Sequence, residues 1–291
     1  MAVSKRKKDR GGGGTTPLRK AAADPAALTG ANDDGEELRK RSELLWDAQL
    51  RPSRGPKPTL SRADVVQAAI SLAADEGIAA LTMHALAKRL GFTTMALYRY
   101  FPSKEALIDA SVDAAMGAPP SRTGPRKGWR QEVKHWAYAK RAMLCSRPWL
   151  AELPFVAAPH GPNWLSWHEA FLQTIADTGL SPEDMMDVLS AVHGYVSGSC
   201  DTAISLARAT SRGISFEKWA LAVSADLCRA INDPRYPTLS AILTSASGGI
   251  SSASPLPARA GRPRSMHESF DFGLDRVLDG IQHYMDSLKA S

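Results

Sequence analysis

The chain is short of cysteine, of long apolar runs and of alternating strand patterns, and each shortage removes a class of protein. Its three cysteines, Cys145, Cys200 and Cys228, lie far apart in a chain of 291 residues. That is too few for a disulfide-stapled secreted fold, and each falls in a helical pattern, so reduced, buried thiols are expected. No stretch of about eighteen apolar residues occurs, and no apolar segment follows the basic N-terminus. Neither a membrane span nor a secretory signal is predicted, and the expected location is cytoplasmic. No G-x-S-x-G elbow, G-x-G-x-x-G turn, P-loop or H-E-x-x-H pair is present, so no familiar catalytic or nucleotide-binding chemistry is encoded. His160 and His168 have no cysteine or carboxylate at ligand spacing, so no metal and no cofactor are expected. An enzyme whose acids and histidines meet only in three dimensions stays open as an alternative.

What is present begins with residues 81–107, LTMHALAKRLGFTTMALYRYFPSKEAL. Leu81, Leu86, Ala87 and Leu90 make the apolar face of one short helix, Gly91 suits a left-handed stop, and Thr93 can cap the next helix. Leu97 and Phe101, four apart, seat that second helix on the first. Thr94, Met95, Ala96, Tyr98, Arg99 and Tyr100 are then left outside, a set of hydroxyls, a methyl and a cation suited to phosphates and base edges. This is a helix-turn-helix built to lie in a DNA groove. Thr82 is expected to cap its helix toward a phosphate, His84 to face base edges, and Lys104 to meet the backbone. Pro102-Ser103 reads as the start of a further helix carrying Leu107, Ile108, Val112 and Met116, and Val66, Ala69, Ile70 and Ala73 stripe the entry helix.

The same string resembles the TetR family of bacterial transcriptional repressors, from RADVVQAAISLAADEGIAALT through LAKRLGFTTMALYRYFPSKEALIDA. Further on, NWLSWHEAFLQTIADTGLSPEDMMDVLSAVHGYVSGS, YPTLSAIL and FDFGLDRVLDGIQ are similar to the ligand-binding and dimerisation segments of the tetracycline-repressor branch. The resemblance implies an all-α fold: an N-terminal three-helix DNA-binding domain with a helix-turn-helix, plus a larger helical ligand-binding and dimerisation domain. It also implies a repressor that binds a palindromic operator as a homodimer and is released by a small organic effector; a DNA-binding activator is the alternative within the same class. In that branch an Asn, a Phe and a loop His hold the drug and its magnesium. Here the matching positions are His135, Ala139 and Leu153, so the resemblance does not carry the metal-dependent ligand over.

The net charge is +6, and its distribution says more than its sum. Lys5, Arg6, Lys7, Lys8, Arg10, Arg19 and Lys20 crowd the N-terminus, whereas the helix-turn-helix is nearly neutral. Residues 1–59 are expected to be a mostly disordered basic extension, interrupted at 36–50 by a short helix docking through Leu38, Leu45 and Trp46. Pro52, Pro56 and Pro58 then hold Arg51, Arg54 and Lys57 in an extended stretch that an inert linker or a minor-groove arm would equally require.

Residues 60–116 are assigned to the DNA-binding domain with its connecting helix, 117–127 to a linker, and 128–289 to the ligand-binding and dimerisation domain. Helices are predicted near 129–146, 163–178, 182–210 and 215–231, and 245–265 as a mobile loop. A final stripe, Phe270, Leu274, Val277, Leu278, Ile281, Met285 and Leu288, either completes its own subunit's core or joins the 182–210 helix in a dimer interface formed with the 267–289 helix. Gly194 and Gly198 would permit close approach there, or mark a kink or a ligand contact. Trp129, Trp136, Tyr138, Trp149, Phe155, Trp164, Trp167 and Phe171 crowd one stretch with histidines among them. A pocket for a small apolar or aromatic organic effector is therefore expected, with His135, Tyr138, Trp149, Trp164, Trp167, His168, His193 and Tyr195 as candidate lining.

Overall fold

The computed structural model describes residues 33–50, 60–121, 128–153, 160–211, 215–231, 233–245 and 265–290. Among them there is no strand: the elements are eleven α-helices and two short 3-10 turns. In chain order the helices are α1 (Asp33–Leu50), α2 (Arg62–Glu76), α3 (Met83–Leu90), α4 (Thr94–Tyr98), α5 (Lys104–Met116), α6 (Trp129–Cys145), α7 (Pro162–Ile175), α8 (Pro182–Ser211), α9 (Phe216–Ile231), α10 (Pro237–Ser245) and α11 (Met266–Ala290). No described helix is long and apolar enough to cross a membrane.

Two apolar cores form. The smaller gathers α2 to α5 around Val65, Leu72, Leu81, Leu86, Leu97, Phe101 and Leu107. The larger gathers α6, α7, α8 and α11 around Trp136, Trp167, Phe171, Val192, Leu274 and Leu278, and draws in Ala73 from α2 and Met116 from α5. The entry-helix stripe is turned from the sequence reading: Val65, Ala69, Leu72 and Ala73 are buried, while Val66 and Ile70 are only half-buried. The reason is that α2 faces both cores, Val66 packing on one and Ile70 on the other.

Helix ends are set by short-range chemistry. Ser61 and Asp64 form a capping box at α2, and the Ser103 hydroxyl accepts the Ala106 N–H at 3.1 Å to start α5. Helix α1 docks against α5 through Leu45, which is buried, and Leu44, but the expected docking residues Leu38 and Trp46 are exposed. What holds α1 is electrostatic. Arg41 donates from Nε and a terminal nitrogen to the two Asp109 oxygens, at 2.6 and 2.8 Å. Burial pushes the Asp109 carboxyl up against the pull of Arg41, so the bidentate guanidinium is what keeps it ionised.

The α11 stripe completes its own subunit's core. Phe270, Leu274, Leu278, Ile281 and Met285 are buried, Val277 is half-buried, and Leu288, at the helix end, is exposed. The thiols also depart from expectation: Cys228 is exposed, and Cys145 and Cys200, distant in sequence, meet with sulfurs 3.4 Å apart. The expected arm residues Arg51, Arg54 and Lys57, Phe155 and nearly all of the 245–265 loop lie outside the described residues.

Candidate nucleic-acid interface and buried cavity

The reading head is assembled from two capped helices. Thr82 accepts the Ala85 N–H at 3.1 Å to start α3, and Gly91, with φ of 74° and ψ of 25°, ends it in the left-handed region where a side chain would be strained. Thr93 then accepts the Ala96 N–H at 3.3 Å, opening α4 at once. Leu97 and Phe101 are buried beneath α4. On the outside, Thr82, His84, Thr93, Met95, Tyr98 and Arg99 are exposed, Thr94, Ala96 and Lys104 half-exposed. Met95 stands furthest out, 73% exposed, an apolar side chain left in water at the tip of a polar surface. Tyr100 is differently placed: its hydroxyl donates to the Leu60 carbonyl at 2.8 Å and its ring packs on the smaller core. That hydroxyl is engaged within the fold and is not offered to a phosphate.

In the larger core a cavity of about 450 Å³ opens between the end of α5, α6, the 3-10 turn Pro148–Glu152, α7 and α8. Its walls include Met116, Met143, Leu144, Leu150 and Ile204, the Trp164 ring, and the polar groups of Lys140, His160, His193, Ser197, Cys200 and Asp201. Of the eight residues expected to line a pocket, Trp164 and His193 do. His168 stands behind Trp164, its ring stacked at 3.5 Å and its Nδ1 donating to the Trp164 carbonyl at 2.8 Å. The remaining five are elsewhere, for separate reasons. His135 points into solvent. Tyr138 donates to Asp271 at 2.6 Å, and burial with that acceptor pushes its phenol up to about 12. Tyr195 donates to the Phe270 carbonyl at 2.8 Å and stacks on the Phe270 ring, stitching α8 to α11. Trp149 and Trp167 are core, the latter donating to the Met116 and Gly117 carbonyls.

Lys140 was missed by the sequence reading and is the most unusual group in the wall. It is 2% exposed, and its ammonium lies 4.9 Å from the centre of the Trp167 ring. Burial lowers it from the ordinary 10.5 to about 8. A signal was available: Lys140 is in phase with Val133, Trp136, Ala137, Met143 and Leu144, all buried. His193 is held neutral, lowered to about 4 by burial and by the nearby Lys140 charge. Among the described residues no cluster of three or more histidines, cysteines or acids could hold a metal ion.

The cavity wall is tied to the reading head's connecting helix. Asp113, buried near the end of α5, accepts the Trp164 N–H at 2.9 Å and the Asn163 side-chain amide at 3.0 Å. A carboxylate thus caps the N-terminus of α7, where peptide dipoles favour negative charge. Gly161 makes the approach possible, since a Cβ there would lie 2.3 Å from the Asp113 carboxyl carbon.

Comparison with known proteins matches both halves. Residues 65–111 match the family described as bacterial regulatory proteins, tetR family. Residues 123–285 match the tetracyclin repressor-like C-terminal domain. The chain is 31% identical over 249 residues to the HTH-type transcriptional repressor DrrR1 of Streptomyces coeruleorubidus, spanning 84% of this chain and 86% of that one. It is 32% identical to the tetracycline repressor protein class C of Escherichia coli over 53% of this chain and 71% of that one. Its fold is similar to that of the Streptomyces coelicolor protein ActR solved in complex with actinorhodin, with TM-score 0.61 at 19% identity, covering 78% of this chain and 99% of that one.

Proposed function

The chain belongs to the TetR family of bacterial transcriptional regulators, and from that premise we propose that it binds a palindromic operator as a homodimer and leaves it when a small organic effector fills the cavity. It is a ligand-responsive transcriptional regulator rather than an enzyme. The observation that carries the finer reading is the continuous connection from Trp164 in the cavity wall, through Asp113, along α5 to Lys104 beside α4. A ligand that displaces Trp164 pulls on the helix that orients the reading head.

Residues 60–116 are taken as the DNA-binding unit and 128–289 as the effector and dimer unit. Two heads must sit about 34–36 Å apart to enter successive major grooves of B-DNA. A hundredfold loss of operator affinity needs the effector to prefer the released spacing by about 2.8 kcal/mol, an ordinary allosteric coupling. In the reading head, His84, Thr94, Met95 and Ala96 are assigned to base edges, and Thr82, Thr93, Tyr98, Arg99 and Lys104 to the backbone. Tyr100 is assigned instead to holding the start of α2. Dimerisation is assigned to the outer faces of α8 and α11, within the 182–210 and 267–289 segments. Beyond the helix's own backbone and the adjoining residues, no atom lies within 4 Å of where a Cβ would stand on Gly194, Gly198 or Gly280, and Met186 of α8 and Leu288 of α11 are exposed. That open, small-residue surface favours close helix approach over a kink or a ligand contact, since neither Gly194 nor Gly198 lines the cavity.

The test is footprinting of the full-length protein on the region upstream of its own gene. Protection of an inverted repeat, lost when extracts of the host are added and restored when small molecules are removed, supports the reading. Monomeric protein in solution, or protection indifferent to all such extracts, refutes it. Arg51 and Arg54 are kept as a proposed minor-groove arm, tested by neutralising substitutions and the salt dependence of affinity. Truncation would confuse the result, because removing residues before 60 also removes α1 and strips Asp109 of Arg41.

A further inference from the structure

A lysine on a buried helical face is normally replaced by something apolar or matched with an acid. Lys140 has neither arrangement. Among the described residues no carboxylate lies within ion-pairing distance of it, and the acid on the cavity wall, Asp201, is exposed and unpaired with it. Its near neighbour is the Trp167 ring, which offers a weak quadrupolar attraction and no full charge. A second group faces the same want. His193 has its Nδ1 buried without a hydrogen-bond partner, while its Nε2 lies 3.4 Å from the Ser197 hydroxyl.

The cavity therefore presents an unmatched cation, with the neutral His193 ring in the same wall. Around them are thioethers, aliphatic side chains and the Trp164 ring, in about 450 Å³. The want of the cation is met by one kind of molecule, an anion carried on a flat apolar body. We infer that the effector of this protein is an aromatic organic anion, a carboxylate or an ionised phenol, whose charge is neutralised by Lys140. The inference rests on the cavity being the effector site. Of the other titratable groups around the cation, His160, His168 and Cys200 supply no negative charge while neutral, and Asp201 is an exposed carboxylate not paired with it, so the matching anion is left to the ligand.

The experiment titrates the full-length protein with hydroxynaphthoate and with its uncharged methyl ester, following tryptophan fluorescence, in the native chain and in Lys140→Met and Lys140→Arg. The acid should bind the native chain about tenfold or more tightly than the ester, a difference of about 1.4 kcal/mol or more. Lys140→Met should abolish that preference by weakening the acid alone, and Lys140→Arg, which keeps the charge, should retain most of it. Retained operator binding shows that each variant is folded. Binding of the acid just above the pH where Lys140 titrates should take up protons, a readout that does not depend on any variant. Equal affinity for acid and ester in the native chain, or an undiminished preference in Lys140→Met, overturns the inference. If the ester alone binds and releases operator, the effector cavity stands and the anion fails; if neither probe binds, both fail.

Discussion

Replacing Lys140 by Met should stabilise the protein, and the gain should vanish as the pH is raised. The Lys140 ammonium titrates at about 8 in the fold against 10.5 in the ordinary state, because burial penalises the charged form and no acid offsets it. At about 1.4 kcal/mol per pH unit, carrying that proton near pH 7 costs the folded state about 3 kcal/mol. The group is 2% exposed, so solvent screening removes little of this. The sign follows from proton counting. Between about 8 and 10.5 the unfolded chain binds more protons at this position than the folded one, so stability rises with pH through that window. Methionine carries no proton in either state and should remove the rise. Urea unfolding at fixed protein concentration, run on both chains from neutral to alkaline pH, isolates the effect, since the groups that feel the Lys140 charge, His193 and His168, are both lowered from 6.5 and so titrate below that range. The variant should be more stable by up to about 3 kcal/mol near pH 7, less whatever the cation gains from the Trp167 ring, and the two should converge above pH 10.5. A variant less stable than the native chain at neutral pH, or a gap that does not change with pH, would refute the reasoning.

Other outcomes follow from particular contacts. Arg41→Ala leaves the Asp109 carboxylate buried without its partner, so it should lose about 3 kcal/mol in denaturant unfolding, and adding Asp109→Ala should recover part of that; strictly additive losses would deny the pair. Gly161→Ala forces a methyl into the Asp113 carboxyl and should weaken the effector's grip on operator affinity more than it weakens effector binding itself, compared by gel shift and fluorescence; an unchanged ratio would remove Asp113 from the coupling. On DNA, Lys104→Ala should reduce affinity for all sequences alike, whereas His84→Ala or Thr94→Ala should shift preference at one base pair by about 1–3 kcal/mol; competition binding against single-base operator variants separates the two patterns.

The reading head was legible because its structure is local. Caps at Thr82, Thr93 and Ser103, a left-handed Gly91 and the Leu97–Phe101 pair act within a few residues of each other, and each is where periodicity and capping chemistry placed it. Tyr100 departed from expectation because its partner, the Leu60 carbonyl, is forty residues away. The cavity was legible only as aromatic density. Whether a tryptophan lines a space or fills one is settled by contacts distant in sequence: the carbonyls of Met116 and Gly117 hold Trp167 in the core while Trp164 stays at the wall. Lys140, Asp109 and Asp113 were missed for a common reason: a charged residue on a helix is ordinarily solvated, and composition gives no warning that both sides of its helix will be covered.

That covering bears on the proposed coupling between the cavity and the DNA surface. Helix α5 carries two buried acids one turn apart, each tied to a different neighbour: Asp109 holds Arg41 of α1, while Asp113 holds the start of α7. The Ser111 hydroxyl between them is spent on the Leu107 carbonyl at 2.7 Å. A surface ion pair would yield when α7 moves, because water replaces it at little expense. Buried, these contacts have no such replacement, and tearing either away would leave an unpaired charge in the interior. Tilting α5 as a unit with its two partners keeps both contacts and slides apolar packing, which costs less than leaving a buried carboxylate without its partner. On the proposed reading, displacement of Trp164 would therefore be passed along α5 rather than absorbed at its end, and Ser103, which fixes the first turn of α5 two residues after buried Phe101, would hand it to the reading head.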